Sequence, residues 1–330
     1  GSTPTPPAGA IGAGYPPKPP AAKTIGAARF FAFLCAAAAE GFYFSRALWY
    51  NDGIFSQERN GMQKVKISLA GDLGSGKSTV GRILAKELGA QVYSTGTIQR
   101  RIAEEMGMTT LQLNQYMETH PEIDGKIDDG LRALEGEDAD LIIDSRMAWH
   151  FVPSSFAVYM AADAYVSAER ILKAGRSSEP FSSVEEAVRS VADRRASEMR
   201  RYSQLYGVNI KDLENYDYVV DTSFVAPETV AEHILAHYQK FRRGEAFPRY
   251  ELCAARLLPA AEAEEDGEPA AFEVNGNFYI ARGADSLARQ MRSGARLVEL
   301  VRAEVGAPGS AEQIAAWEAR TGVRIAVRHG

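Results

Sequence analysis

The sequence predicts an α/β protein: a three-layer αβα domain with a five-stranded parallel sheet, followed by a small α+β module. Two observations predict this class. Short apolar runs with strand character alternate with longer segments of helical periodicity, and a glycine-rich turn joins the first strand to the first helix. Because strands that alternate with helices are linked by right-handed crossovers, we expect these strands to be parallel.

The first domain is expected to span residues 62–243, with Met62 directly before its first strand. Its strands are expected at residues 65–70, 91–94, 140–144, 156–160 and 218–221. Its helices are expected at residues 78–88, 98–134 with a break near Pro121, 164–173, 184–205 and 227–241.

The segments on either side of this domain differ from it in composition. Residues 1–61 open with a run rich in Pro, Ala and Gly and are expected to be disordered or ancillary. The apolar run Phe30–Ala39 within them is too short to cross a bilayer. Residues 246–330 are expected to form the α+β module, with a hairpin at Asn275-Gly276, a helix at 284–291 and a strand at 297–301.

The composition excludes several classes of protein. Of the 330 residues, 45% are hydrophobic and 24% are charged, which rules out wholesale disorder and a polytopic membrane protein. The 37 Lys and Arg against 43 Asp and Glu give a net charge of −6, which does not favour nucleic-acid binding along the whole chain. Two cysteines, Cys35 and Cys253, are too few for a disulfide framework, so a reducing cytoplasm is the expected location.

The turn after the first strand matches the phosphate-binding pattern G-x-x-x-x-G-K-[ST] at every position. Its glycines let consecutive backbone N–H groups face a phosphate, and the helix that follows adds its positive N-terminal dipole. Lys77 supplies a cation for the β- and γ-phosphates, and the Ser78 hydroxyl supplies a ligand for Mg²⁺. We therefore expect a P-loop NTPase-type domain that binds a nucleoside triphosphate through Gly71, Asp72, Leu73, Gly74, Ser75, Gly76, Lys77, Ser78 and Thr79.

Asp144 ends the third strand, at the carboxyl edge of the sheet where ligands of parallel sheets bind. A carboxylate there can hold Mg²⁺ together with Ser78. The alternative is that Asp144 caps a helix that begins near Ser145 and Arg146. Asp221, at the end of the fifth strand, is interpreted as a cap or turn residue rather than a second metal ligand.

Several arginines are expected at this same edge of the sheet. Arg100 follows the second strand and Arg146 follows the third, while Arg194, Glu198 and Arg201 recur at the spacing of one helix face. Convergent arginines clamp phosphate oxygens bidentately, so these residues favour a second phosphate site of the kind that a phosphorylated acceptor needs. The alternative for the helix is a solvated face of salt bridges.

A mobile lid is expected at about residues 174–202, because Arg176 lies in a break that contains Gly and Ser. A lid that closes over the site excludes water, so that the acceptor rather than solvent attacks the phosphate.

Residues 64–240 resemble the cytidylate kinases of the short, archaeal and spirochaete-like type, within the P-loop nucleoside monophosphate kinases. The resemblance lies in the stretches GDLGSGKSTVGRILAKELG, STGTIQRRIAEEMGM, PEIDGKID, IIDSRMAW, AERI and RRASEMRRYSQLYGVNIKDLENYDYVVDTS. It implies phosphorylation of CMP or dCMP by ATP, with Mg²⁺ as cofactor.

The resemblance also implies roles for individual residues. Glu198 matches an acidic lid position near the acceptor nucleoside. The residues assigned to catalysis are Lys77, Arg146, Arg194 and Arg201. The residues assigned to the acceptor are Thr95, Gly96, Arg100, Arg146, Glu198 and Arg201. Ser145, Met147 and Gln99 depart from residues that are usual in the family, so the base specificity stays open.

Residues 250–302 resemble the N-terminal ParB/sulfiredoxin-like fold in the order of their elements, although residues 282–286 replace the family's acidic signature. The arginines of this module are interpreted as solvated surface; the alternative is a basic face for nucleotide or nucleic acid. They are Arg282, Arg289, Arg292 and Arg296. The roles considered for the module are regulation and oligomerisation, and the oligomeric state is left open.

Two alternatives to a cytidylate kinase stay open. One is a kinase for another nucleoside monophosphate or small acceptor. The other is an ATP-sensing regulator whose C-terminal module binds nucleic acid. No membrane partner is expected.

Overall fold

The computed structural model describes residues 64–174 and 181–326. The expectations for residues 1–61 and for Arg176 lie outside this part of the chain. Within it, none of the helices combines the length and the apolar character that crossing a membrane requires.

The first half of the described chain forms the predicted parallel sheet. Its strands are β1 (Lys66–Gly71), β2 (Gln91–Ser94), β3 (Leu141–Asp144), β4 (Phe156–Ala161) and β5 (Tyr218–Asp221). They pair in the order β2-β3-β1-β4-β5, and each of these pairs is parallel. The intervening helices are α1 (Lys77–Leu88), α2 (Thr95–Glu105), α3 (Thr110–Met117), α4 (Pro121–Ala133), α5 (Ala148–Phe151), α6 (Ala164–Ala174), α7 (Val184–Tyr206) and α8 (Pro227–Arg243).

The predicted helix at 98–134 is three helices, because the chain contains a second break that the periodicity did not indicate. Gly107 adopts a φ of +65° after the end of α2, which only glycine does without strain. Thr109 and Gln112 then form a capping box that starts α3. The break that was expected near Pro121 is present, since Pro121 is the first residue of α4.

The sheet is covered by helices on both faces, which confirms the three-layer α/β class. On one face Ile67 packs with Leu84 of α1 and Ile234 of α8. On the other face Ile143 packs with Tyr202 of α7. Strands that are buried on both faces have nearly continuous apolar sequences, and each fully buried aliphatic side chain stabilises the fold by ~1.5–3 kcal/mol.

The C-terminal residues extend this sheet. Strand β6 (Tyr250–Cys253) pairs in parallel with β5, and β10 (Leu297–Arg302) pairs antiparallel with β6. The other strands are β7 (Leu257–Pro259), β8 (Ala270–Val274) and β9 (Asn277–Arg282), and the helices are α9 (Ala284–Arg292) and α10 (Ala311–Thr321). The complete order is β2-β3-β1-β4-β5-β6-β10-β8-β9-β7.

The hairpin that was predicted at Asn275-Gly276 joins β8 to β9. Both turn residues have positive φ, +53° and +84°, as a two-residue hairpin of this twist requires. The division of the chain at 243–246 stays a prediction, because β5 and β6, on either side of that point, are neighbours in one sheet.

Candidate active site

At two positions of the glycine-rich loop between β1 and α1, a positive φ and a close approach of other backbone both require glycine. Gly71 has a φ of +136°, and a Cβ atom there would lie 2.2 Å from the Met160 carbonyl oxygen. Gly74 has a φ of +78°, and its Cβ would lie 2.6 Å from the Ser167 carbonyl oxygen. The loop is therefore packed directly against the backbone of β4 and α6, and side chains at these two positions would displace it.

Lys77 lies folded across this loop and is almost fully buried. Its Nζ donates to the carbonyl oxygens of Asp72 at 2.6 Å and Gly71 at 3.1 Å, and to the Ser75 hydroxyl at 3.3 Å. Burial, assisted by the charge of Arg146, lowers the pKa of Lys77 to about 8. The loop thus holds one cation at its centre, where a phosphate would meet it.

Ser78 and Asp144 lie together beside the loop, as the sequence predicted. The Ser78 hydroxyl donates to Asp144 Oδ2 at 3.1 Å, and the Ser94 hydroxyl donates to the same oxygen at 3.2 Å. These are oxygen ligands of the type that Mg²⁺ prefers, and Mg²⁺ commonly takes only one or two from protein and the rest from phosphates and water. Among the residues that the structure describes, no group of three or more His, Cys, Asp or Glu side chains could hold a metal ion. The Ser78–Asp144 pair fits Mg²⁺ bound together with a phosphate.

Glu198 of α7 is the centre of a buried ion-pair cluster. Arg146, which follows β3, pairs with Glu198, and Arg194 Nε lies 3.1 Å from Glu198 Oε1. Burial alone would raise the pKa of Glu198, but the charges of Arg146, Arg194 and Arg201 outweigh it and hold this pKa below its ordinary value. Because Arg194, Glu198 and Arg201 are all buried, the interpretation of this helix face as a solvated row of salt bridges is wrong.

Arg201 contacts two helices, α3 and α4, that the sequence did not place at the site. Its Nε lies 2.8 Å from Asp124 Oδ2 of α4, and its Nη1 donates to the backbone and side-chain oxygens of Asn114 in α3, both at 3.1 Å. Burial raises the pKa of Asp124 to about 6, against the opposing effect of Arg201. The signal for Asp124 was its place in the stretch PEIDGKID; nothing in the sequence pointed to Asn114.

Thr95, Gly96 and Arg100 lie together at the start of α2. Ser94 caps this helix by accepting a hydrogen bond from the Thr97 N–H, and Arg100 Nη2 donates to the Thr97 hydroxyl at 3.0 Å. The Thr95 hydroxyl is oriented towards the Asp144 carbonyl oxygen at 3.4 Å. The structure therefore joins this group to the metal-fitting pair through Ser94 and Thr95, while Arg146, Arg194 and Arg201 gather around Glu198.

The Asp72 side chain forms a second cluster that the sequence did not reveal. Its Oδ1 accepts from Arg195 Nη2 at 2.7 Å and Tyr159 OH at 2.7 Å, and lies 3.2 Å from Lys211 Nζ; its Oδ2 accepts from the Ala162 N–H at 2.9 Å. Burial alone would raise the pKa of Asp72, but the charges of Lys211 and Arg195 hold it well below its ordinary range. Asp72 thereby ties the loop to α7, to the end of β4 and to the segment after α7.

A small cavity of about 20 Å³ separates the two clusters. Its lining includes Arg146 and Glu198 from the first cluster and Asp72, Arg195 and Lys211 from the second. Three cations and two carboxylates thus line one cavity, with Arg146 paired to Glu198 and with Arg195 and Lys211 paired to Asp72. The excess of one positive charge favours an anion such as a phosphate group there.

Comparisons with known proteins identify relatives of this chain. Residues 66–224 match a model of the cytidylate kinase-like family. The chain is 36% identical over 187 residues to the cytidylate kinase of Thermoplasma volcanium, which covers 56% of this chain and 96% of that protein. It is 34% identical to the cytidylate kinase of Thermoplasma acidophilum, again over 56% of this chain and 97% of that protein.

Two further similarities are more limited. An S-adenosylmethionine-dependent nucleotide dehydratase from Lacinutrix mariniflava is 33% identical over 178 residues, which are 54% of this chain but 36% of that protein. Among solved structures, a shikimate kinase from Acinetobacter baumannii matches 54% of this chain and 95% of its own, with 21% identity and a TM-score of 0.37. That score is too low to bear on function.

Residues 66–224 contain the glycine-rich loop, Asp144 and the Glu198 cluster, and the matches to the two Thermoplasma enzymes cover almost the full length of each. The chain therefore belongs to the cytidylate kinase-like family and is a phosphotransferase of the nucleoside monophosphate kinase class.

Proposed function

We propose that this enzyme transfers the γ-phosphoryl group of ATP to CMP or dCMP, giving ADP and CDP or dCDP. The observation that carries the proposal is the convergence of Arg146 and Arg194 on Glu198, with Arg201 beside them, next to the Lys77 loop. A triphosphate site needs one such charge cluster, whereas transfer to a phosphorylated acceptor needs two that face each other.

The donor site is the glycine-rich loop. Its backbone N–H groups and Lys77 would bind the β- and γ-phosphates, which are anions. Ser78 and Asp144 would hold Mg²⁺, which when bound supplies charge neutralisation to those phosphates.

The acceptor site takes its arginines from the two groups described above. Arg100 at the start of α2, together with Arg146 and Arg201, would bind the phosphate of CMP. An oxygen of that phosphate attacks the γ-phosphorus of ATP, the bond from this phosphorus to the β–γ bridging oxygen breaks, and ADP leaves with the electron pair. No general base is required, because the attacking phosphate is already an anion.

Two arginines of α7 are held by carboxylates in the structure. Arg194 is bound to Glu198, and Arg201 to Asp124, so each has a fixed direction before any phosphate arrives. Such preorganisation favours the transition state because the charges need not be reoriented during the reaction. We infer a cytoplasmic location as part of this proposal, in keeping with the two-cysteine sequence.

The acceptor is tested by a panel of nucleoside monophosphates. ADP release from ATP and Mg²⁺ is measured with CMP, dCMP, UMP, AMP and GMP, and Lys77→Met serves as the inactive control. We expect CMP and dCMP to give the highest kcat/KM, and the control to lose about 100-fold or more. Turnover of AMP or UMP alone would overturn the proposal, and so would ADP release that no acceptor stimulates.

A further inference from the structure

The C-terminal part of the chain reaches the nucleotide loop through a buried arginine. Arg256 lies between β6 and β7 and is 2% exposed. Its Nη1 donates to Asp221 Oδ2 at 2.7 Å and to the Ser223 hydroxyl at 3.3 Å, while its Nη2 donates to the Gly276 carbonyl oxygen at 2.6 Å. One guanidinium therefore joins the hairpin of the C-terminal strands to the end of β5.

Residues 221–223, which Arg256 contacts, are held by several further hydrogen bonds. Asp221, which is fully buried, also accepts from the Ser223 N–H at 2.9 Å and from the Ser223 hydroxyl at 2.6 Å. The Ser223 hydroxyl accepts in turn from the Asp163 N–H at 2.9 Å. Residues 221–223 are thus held by Asp163, which follows β4, and by Arg256, which follows β6. Removal of the arginine would leave the buried Asp221 carboxylate without its countercharge.

Thr222, in the middle of that segment, holds the nucleotide loop. Its hydroxyl lies 2.9 Å from the Ser75 carbonyl oxygen and 3.1 Å from the Ala161 carbonyl oxygen, and the shorter of the two contacts is the one to the loop. In a trans peptide the carbonyl and the following N–H point in opposite directions. A Ser75 carbonyl that is turned outwards towards Thr222 therefore turns the Gly76 N–H inwards, to the side from which a phosphate is bound.

A second side chain strengthens the same link. Arg170 of α6 donates through Nη2 to the carbonyl oxygens of Thr222 at 2.6 Å and Ser223 at 3.0 Å, and its Nη1 lies 3.5 Å from the Gly74 carbonyl oxygen. The consecutive carbonyl oxygens of Gly74 and Ser75 are thus contacted by Arg170 and Thr222. Thr222 is part of residues 221–223 and Arg170 is hydrogen-bonded to them, and Arg256 contacts these same residues from the C-terminal strands.

We propose that Arg256 is a positioning residue for ATP binding: through Asp221 and Thr222 it fixes the orientation of the peptide between Ser75 and Gly76. The C-terminal strands are then a structural part of the ATP site rather than a separate appendage. The family match ends at residue 224, so Arg256 lies beyond the region shared with that family. The proposal rests on the ATP-binding half of the proposed function and is independent of which base the acceptor carries.

The test measures binding of the non-hydrolysable analogue AMPPNP with Mg²⁺ to full-length variants by calorimetry. Arg256→Met is combined with Asp221→Asn, so that no buried charge is left unpaired and the protein folds. We expect the Kd for AMPPNP to rise about tenfold, because the three hydrogen bonds of Arg256 are lost and the peptide between Ser75 and Gly76 is no longer held in one orientation. Thr222→Val should weaken binding similarly, and adding it to the double variant should weaken binding no further.

The matched control is Arg292→Met in α9, whose Nη1 donates to the Thr321 carbonyl oxygen within the C-terminal elements. It removes an arginine from the same part of the chain without touching residues 221–223, and we expect its Kd to stay within twofold of the wild-type value. A double variant that loses thermal stability but keeps the wild-type Kd would overturn the proposal, and so would weakening by Thr222→Val that adds fully to it. A wild-type chain that binds AMPPNP but does not phosphorylate CMP would refute the acceptor alone.

Discussion

Asp72 shows how one residue of the glycine-rich loop serves two different structures. Its backbone carbonyl accepts a hydrogen bond from Lys77, inside the loop, while its side chain binds Arg195 and Lys211 outside it. The first contact follows from the local motif, in which the two residues are five apart. The second contact joins Asp72 to Arg195 and Lys211, which lie 123 and 139 positions further along the chain, so no sequence pattern could have indicated it.

Replacement of Asp72 by Asn should make the free energy of unfolding less sensitive to a fall in pH. The pKa of Asp72 in the folded protein lies below its ordinary value of 3.8, so its ion pairs stabilise the fold fully above about pH 5 and this contribution is lost as the pH falls below 3.8. We expect Asp72→Asn to lower the free energy of unfolding by about 2 kcal/mol at pH 7, and by progressively less in acid. Urea unfolding at pH 7, 5, 4 and 3.5 measures the difference.

The control for that series is Asp138→Asn, since the Asp138 side chain is 91% exposed and its ion pair with Lys64 is long. It should change the unfolding free energy by less than about 0.5 kcal/mol at every pH. A difference between wild type and Asp72→Asn that stays constant from pH 7 to 3.5 would contradict the assignment of an ionised Asp72.

At the scale of elements, helix α7 organises the site because side chains from two of its faces contribute to the two ion-pair clusters. Arg194, Glu198 and Arg201 lie on one stripe, as their spacing predicted, and Arg195 leaves the helix at a different angle to reach Asp72. The stripe could be predicted because helical periodicity is local. The partner Asn114 could not, because its contact with Arg201 depends on how α3 packs against α7. Asp124 lies in the stretch PEIDGKID, but its pairing with Arg201 depends on how α4 packs and has no local signal.

The loop between β1 and α1 depends on glycine at position 71 more strongly than its motif alone indicates. Gly71→Ala would place a Cβ 2.2 Å from a backbone oxygen at a φ of +136°, which neither side can relieve, so we expect a loss of more than about 3 kcal/mol of unfolding free energy. Gly89→Ala, at the end of α1, also has a positive φ, but nothing lies within 4 Å of its Cβ, and it should cost only about 1 kcal/mol. Thermal and urea unfolding of the pair separates close contact from backbone strain; equal losses would contradict this account.

At the scale of the whole molecule, the sheet joins the kinase strands to the C-terminal strands without a break. Val219 of β5 lies opposite Tyr250 of β6, Tyr218 OH donates to Glu251, and Arg256 pairs with Asp221. The sequence predicted the fold class, the five parallel strands and the C-terminal hairpin, because each has a local signal. The β5–β6 pairing has none, since it depends on contacts between segments that α8 separates.

This continuity predicts that the chain from β1 to α10 unfolds cooperatively. Differential scanning calorimetry of the full chain should show a single transition for this region, with near-equal calorimetric and van't Hoff enthalpies. Mg²⁺ and AMPPNP should shift that transition upwards as one peak, because a ligand stabilises the whole unit to which it binds. A C-terminal transition at lower temperature that AMPPNP does not move would contradict the prediction and would also weaken the case for Arg256.

We propose that two phosphate sites face each other across the end of the sheet, one at Lys77 and one at the arginines around Glu198. A bisubstrate analogue in which five phosphates link adenosine to cytidine tests it most directly, because it fills both sites at once. We predict that calorimetry gives this analogue a Kd at least about 100-fold lower than that of ATP or CMP alone, and that Arg146→Met removes most of this gain. An analogue that binds no more tightly than ATP, with unchanged affinity in the Arg146 variant, would contradict the account.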